Sequence, residues 1–360
     1  MTSLKDIAKK AGVSVCAVSL VLNGKDKNRV SEATAQLIRD TAASLHYEPN
    51  MMARTLKTNK SHTLGFVTDE IITTPNAVRI MLGAQEAARK LGYMLITMNT
   101  NNDKTLERQG IATLKRYHVD GFLYAFMYHR VVDVPDTLRK LPTVVVDAED
   151  AKCDIPSIYP DEFAIGYDAT TRLVRAGCKR IAYFGSEADI IAQTKRLAGY
   201  RQALQDGGMR ENPDLIVGAT EYDNADQRAL KLLKEQQPDG VFSFNDVRAA
   251  SLYMAANQLK LGIGTDISIV SVDNLPNITA VLRPGLTTIE LPHYEMGFEA
   301  VRQLVAIIEQ RNKPQIEPNQ PFRSSFETRD ILTTAHGSII ERDSAVAVSS
   351  PTPEEALKQD

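Results

Sequence analysis

From Leu64 onward, short β-rich runs alternate with helical stretches, and they do so twice over. The first series runs LGFVT, a helix to Leu91, YMLITM, a helix to about Tyr117, DGFLYAF and PTVVVD. The second begins near Asp161 with a helix to Gly177, then RIAYFG, DLIVG, GVFSFN and ISIVSVD, each separated from the next by a helix. Strand and helix in strict alternation leave little choice of architecture, because parallel strands need crossover helices that cover both faces of their sheet. Two such series predict an α/β body of two lobes, each a doubly wound parallel sheet. One further strand, LTTIEL, and a helix from about Pro292 to Gln310 follow, and the expectation is that this strand returns to the first sheet.

The first sixty residues have a different grammar. Ser3 with Asp6 opens a short helix whose apolar positions Leu4, Ile7, Ala8 and Ala11 share a face, and Gly12 ends it. Ser14 is placed to cap a second helix that buries Val18, Val21 and Leu22 before Asn23-Gly24 stops it, and Ser31 caps a third to about Leu45. Two short helices across a tight turn, with a third closing the core, make an all-α helix-turn-helix head. If the second helix buries 18, 21 and 22, then Val15, Cys16, Ser19 and Leu20 face outward, where such a helix meets base edges in the major groove. Three of these four cannot make a bidentate base contact, so apolar contact with thymine methyls is the expected substitute.

Charge separates the two parts. Residues 1–60 hold ten Lys and Arg against five Asp and Glu, an excess of +5, so the net -3 of the chain leaves -8 on the rest. A basic head on an acidic body directs only the head toward a polyanion. No run of about 18 apolar residues occurs, nor an apolar stretch behind the basic start, so the expected location is the cytoplasm. Cys16, Cys153 and Cys178 are too scattered for a disulfide framework or a metal knuckle, and the histidines form no metal-spaced cluster. No cofactor is expected. No strand is followed by a G-x-G-x-x-G turn and no phosphate-binding G-x-x-x-x-G-K-[ST] is present, which argues against an enzyme with this body. A sugar-transport protein would need a signal peptide and no head.

Ligands of open α/β sheets bind beyond the carboxyl ends of the strands. Asp69, Asp147, Asn245 and Asp273 stand at those ends, with Arg196 as a forked donor and Tyr222 as an apolar face for a sugar ring. An Asp in such a place serves equally as a helix cap or turn former. Taken together they outline a cleft for a polyol, and ribose-like, hexose, disaccharide and purine ligands all fit that outline.

The segments LKDIAKKAGVSVCAVSLVLNG and LHYEPNMMARTL resemble the DNA-binding head and hinge of the lactose-repressor and galactose-repressor (LacI/GalR) family. In the body, RLAGYRQAL, FNDVRAA, VSVDN and RPGLTTIELPHYEMG resemble that family's sensor domain, whose fold is that of periplasmic sugar-binding proteins. The resemblance implies a dimeric repressor that binds a palindromic operator in double-stranded DNA and responds to a small-molecule effector, with no membrane partner. It implies backbone-positioning roles for Ser14, Asn23, Ser31, Thr34, Tyr47 and Asn50, and base reading by Val15, Cys16 and Leu20. Ala53 would let paired hinge helices approach, and Leu56 would wedge into the minor groove. Arg196, Asn245, Asp273, Asp147 and Tyr222 match effector-contacting positions. Asp69 lies where TDEIITTPNA departs from the commoner family segment. Ala17 and Leu20 also depart, since the family usually has Thr and often Arg or His there, which leaves the half-site sequence open.

The expected domains are a head over 1–48, a hinge over 49–61 and a body over 62–333. The body's lobes are expected to be 62–160 with 286–333, and 161–285. The tail over 334–360, rich in Ser, Pro, Ala and charge, is expected to be mobile and shows no leucine heptad that would support a tetramer.

Overall fold

The computed structural model describes residues 2–47, 60–75, 77–220, 223–310 and 312–346. The chain divides into two units, residues 1–61 and 62–360.

The head is three helices, α1 (Leu4–Ala11), α2 (Val15–Leu22) and α3 (Glu32–Ser44). Each is opened by a serine that accepts the third backbone N–H, Ser3 from Asp6, Ser14 from Ala17 and Ser31 from Thr34, so three orphan donors are satisfied as the sequence predicts. Gly12, at φ 66, closes α1 in the left-handed conformation that favours glycine. Ile7, Ala8, Val18, Val21, Ala35, Ile38 and Ala42 form the core, with Leu22 and Tyr47 packed at its edge.

Among its described residues the second unit holds two sheets. The first has seven strands in the order β11-β12-β5-β4-β3-β1-β2, comprising β1 (Thr63–Thr68), β2 (Met94–Asn99), β3 (Gly121–Val132), β4 (Thr143–Asp150), β5 (Ser157–Pro160), β11 (Ser325–Arg329) and β12 (Leu332–His336). The second has six, in the order β13-β10-β9-β8-β6-β7: β6 (Ile181–Ser186), β7 (Ile216–Ala219), β8 (Gly240–Ser243), β9 (Ser268–Asp273), β10 (Thr287–Glu290) and β13 (Ser338–Ile340). Central pairings are parallel, and among the described residues only β11 with β12 and β10 with β13 run antiparallel. β1 and β6 are buried along their whole length, as strands covered on both faces must be.

Three expectations change. The LTTIEL strand is β10, and it pairs with β9 in the second sheet rather than returning to the first. The return is made instead by helix His293–Glu309, whose Tyr294, Met296, Phe298 and Val301 join the first lobe's core. The division of 286–333 to the first lobe is corrected accordingly. The segment from 334 is also folded as far as residue 346: β12 runs to His336, β13 follows, and Ser344 and Ala345 are fully buried. Residues 347–360 lie outside the described ones. The chain therefore passes between lobes at 160–162, 291–293 and 336–338.

Candidate effector cleft and DNA-reading surface

A cavity of about 330 Å³ lies between the lobes, at the lower end of the range for small-molecule sites. The second lobe contributes one wall through two helices, Glu162–Arg175 and Ile191–Asp206, that cross in unusually close contact. A Cβ at Gly166 would lie 2.1 Å from the Arg196 carbonyl oxygen, and one at Gly199 would lie 2.2 Å from that of Phe163. Reciprocal glycines let the backbones touch, and this carries Arg196 to Glu162. The guanidinium Nε donates to Glu162 Oε2 at 2.6 Å and Nη1 donates to the Phe244 carbonyl at 2.7 Å, while its carbon sits 4.5 Å from the Phe244 ring centre. Arg196 is thus a buried, already paired cation that shapes the wall.

Asn245 and Asp273 stand at the ends of β8 and β9 and line the same cavity. Asn245 also caps the next helix, its Oδ1 accepting from Arg248 N at 3.0 Å. The capping and lining roles coexist, because a cap residue by definition sits at the strand-to-helix turn that faces the cleft.

From the first lobe comes Asp147, buried, with Oδ2 3.9 Å from His293 Nε2 and an Oδ1 that has no hydrogen-bond partner in the protein. Burial pushes its carboxyl well above the usual carboxylate range, and the nearby Glu162 and Asp69 add to that. Asp69 does not line the cavity. Its carboxylate accepts from Glu70 N at 2.6 Å and Met127 N at 2.9 Å and pairs with Arg130 Nη2 at 3.2 Å. Its expected ligand role is corrected to a backbone one: it pins a bulge in β3. There Ala125 pairs with Val146 and Arg130 with Ala148, so four residues, 126–129, stand opposite Asp147 alone. The bulge delivers Met127, Tyr128 and His129 to the cavity, and Tyr128 takes φ 64 to do so.

The sequence reading missed Glu162, Phe244, His129 and His293 as cavity residues. The FNDVRAA and LPHYEMG segments contained Phe244 and His293, and the cavity lies at strand ends as expected, but nothing in local spacing marks Glu162 or the bulge. Tyr222 lies outside the described residues.

On the head, Val15 is 41% exposed and Cys16 is exposed, at the start of α2. Ser19 and Leu20 are half-buried, and Asn23 Nδ2 donates to the Ser19 carbonyl at 2.6 Å. Ser14 and Ser31 are capping residues with exposed side chains, and Ser31 Oγ meets Thr34 Oγ1 at 2.8 Å. Arg39 is tied to Asp26 and Glu32, so it is not a free cation for DNA. Asn50, Ala53 and Leu56 lie outside the described residues.

Comparison with known proteins agrees with both halves. Residues 3–50 match the family model "Bacterial regulatory proteins, lacI family", and residues 61–325 match "Periplasmic binding proteins and sugar binding domain of LacI family". Among curated relatives, the HTH-type transcriptional regulator RegA of Clostridium saccharobutylicum is 31% identical, with 91% of this chain and 98% of that protein covered. The HTH-type transcriptional repressor PurR of Aliivibrio fischeri is 29% identical over 91% of this chain and 99% of its own length. A crystal structure of the lac repressor dimer bound to operator and the anti-inducer ONPF shares the fold, with a TM-score of 0.73 at 22% identity, covering 96% of this chain and 99% of that one.

Proposed function

This chain belongs to the lacI family of bacterial regulatory proteins, and from that premise we propose a homodimeric repressor of carbohydrate-utilisation genes, controlled by a sugar in the cleft. Family membership makes it a DNA-binding transcription repressor with a sensor domain, and not an enzyme. The observation that carries the finer reading is the 330 Å³ cavity, whose polar lining comes from both lobes: Asp147 and His293 from one side, Arg196, Asn245 and Asp273 from the other. A ligand bridging these groups binds the two lobe arrangements unequally, and unequal binding is what an allosteric effector requires. Arg196 is already paired with Glu162, whereas Asp147 Oδ1 has no hydrogen-bond partner in the protein, which favours a ligand that brings hydroxyls to it.

On the DNA side, Val15, Cys16 and Leu20 read bases, with Ser19 beside them, and Ser14, Asn23, Ser31, Thr34, Tyr47 and Asn50 hold the phosphate backbone. Ala53 and Leu56 belong to the hinge, the first allowing two copies to pair and the second wedging the minor groove. The repressor works in the cytoplasm, as a dimer on a palindromic site.

The test is to select fragments of the host genome on the purified protein and sequence those retained, with and without added sugars. A shared palindrome upstream of sugar-uptake or glycosidase genes, whose retention changes when a sugar is added, is expected. Retained fragments sharing no motif would sink the reading.

A further inference from the structure

His129 lines the cavity. It is 1% exposed and sits in the β3 bulge, where its ring stacks on Tyr159 with centroids 4.4 Å apart. Its Nε2 lies 2.7 Å from Glu149 Oε1, an oxygen that Lys195 of the opposite lobe approaches to 3.5 Å. The hydrogen bond from His129 holds the Glu149 carboxyl below the usual range, against its burial, and Lys195 adds to this. An ionised carboxylate can only accept, so Nε2 carries the hydrogen, and in the neutral ring Nδ1 is a bare lone pair. That Nδ1 is buried and has no hydrogen-bond partner in the protein. Neither Glu149 nor Tyr159 lines the cavity, whereas His129 does. His129 is thus a cavity-lining residue whose ring nitrogen Nδ1 is enclosed and left without a partner.

We propose that His129 is a specificity contact whose Nδ1 accepts a hydrogen bond from a hydroxyl of the bound sugar, with Glu149 fixing the tautomer that makes it an acceptor. The assignment rests on the sugar reading of the cleft. A ligand that places an acceptor at this point, such as a ring nitrogen or a phosphate oxygen, sets lone pair against lone pair and is rejected.

The experiment is calorimetric titration of the full chain with D-ribose, D-xylose, D-glucose, D-galactose and, as contrast, hypoxanthine, followed by two variants with the tightest sugar. In His129→Gln the amide falls where Nε2 was, keeping the bond to Glu149 and leaving nothing at Nδ1. In His129→Asn the amide falls near Nδ1 and the Glu149 bond is lost. His129→Gln is expected to weaken sugar binding about tenfold, the worth of one buried hydrogen bond, and His129→Asn to weaken it less. The reverse order would mean that His129 acts only by holding Glu149, and wild-type affinity in both variants would likewise overturn the contact while leaving the sugar reading standing. Hypoxanthine bound with every sugar silent would overturn both. As a guard against a variant that fails to fold, 15N-histidine labelling of the wild-type chain should show a His129 Nδ1 resonance that moves when the sugar is added, and an unmoved resonance overturns the proposal.

Discussion

At Arg196 the shape of the cavity wall and the stability of the body depend on one buried side chain. Its partner Glu162 is 2% exposed, and the pair is closed by the Phe244 carbonyl and ring. Truncating the guanidinium leaves a buried carboxylate without a counter-charge, which costs far more than the pair itself contributes. Arg196→Ala should therefore destabilise the body by about 3–5 kcal/mol in denaturant melts, with operator binding by the surviving folded fraction intact. Adding Glu162→Gln should recover part of that loss, because a neutral amide needs no counter-ion. Wild-type stability for Arg196→Ala would show that the ion pair does not hold the wall. The sequence named Arg196 through RLAGYRQAL, yet Glu162 lies 34 positions upstream, and no spacing rule joins two residues that meet only because their helices cross.

Those crossings are built the same way in both lobes. Helix α4 (Val78–Lys90) of the first lobe meets helix His293–Glu309 with Gly83 and Gly297 face to face, each of whose added Cβ would lie 1.9 Å from a backbone oxygen, just as Gly166 and Gly199 do in the second. Gly166→Ala must push helix Glu162–Arg175 from helix Ile191–Asp206, at a cost of at least about 1–3 kcal/mol, and should weaken sugar binding by moving Arg196. Gly110→Ala is the contrast. Its Cβ would meet only the Met98 side chain, so helix propensity governs and stability should hold or rise by up to about 1 kcal/mol. Equal losses in the two variants would refute the close-crossing argument. Elements such as these were legible as helices and strands, since their apolar periods are local. The sheet that receives β10 was not, because LTTIEL reads as a buried strand in either sheet and nothing local marks its pairing with β9. Nor were β12 and β13, whose Thr, Ser and His residues look like a tail; the strands form because β5 and β10 offer open edges, and Ala335 is small enough to be buried there.

Across the whole molecule, three passages between lobes make relative movement possible while keeping each lobe's core intact, and the cavity sits where such movement is felt. Asn245 and Asp273 were readable because parallel topology forces strand ends to face the cleft, whereas Asp147 lies within β4 and lines the cavity opposite the β3 bulge. The bulge that brings His129 was not, since a run of three extra residues has no sequence period. If the cleft and the heads report on one equilibrium, linkage demands symmetry: the factor by which a saturating sugar changes operator affinity must equal the factor by which saturating operator changes sugar affinity. That factor should fall at roughly 5–150-fold, measured by fluorescence anisotropy on labelled operator in one direction and calorimetry with sugar in the other, at one salt concentration. Salt must be held fixed, because phosphate contacts make operator affinity fall steeply with ionic strength while a neutral sugar is indifferent to it. Two equal factors would establish a single shared switch. Unequal ones would mean that a further equilibrium, dimer assembly above all, intervenes between the cleft and the DNA, and the sugar would then act on assembly rather than on the shape of an existing dimer.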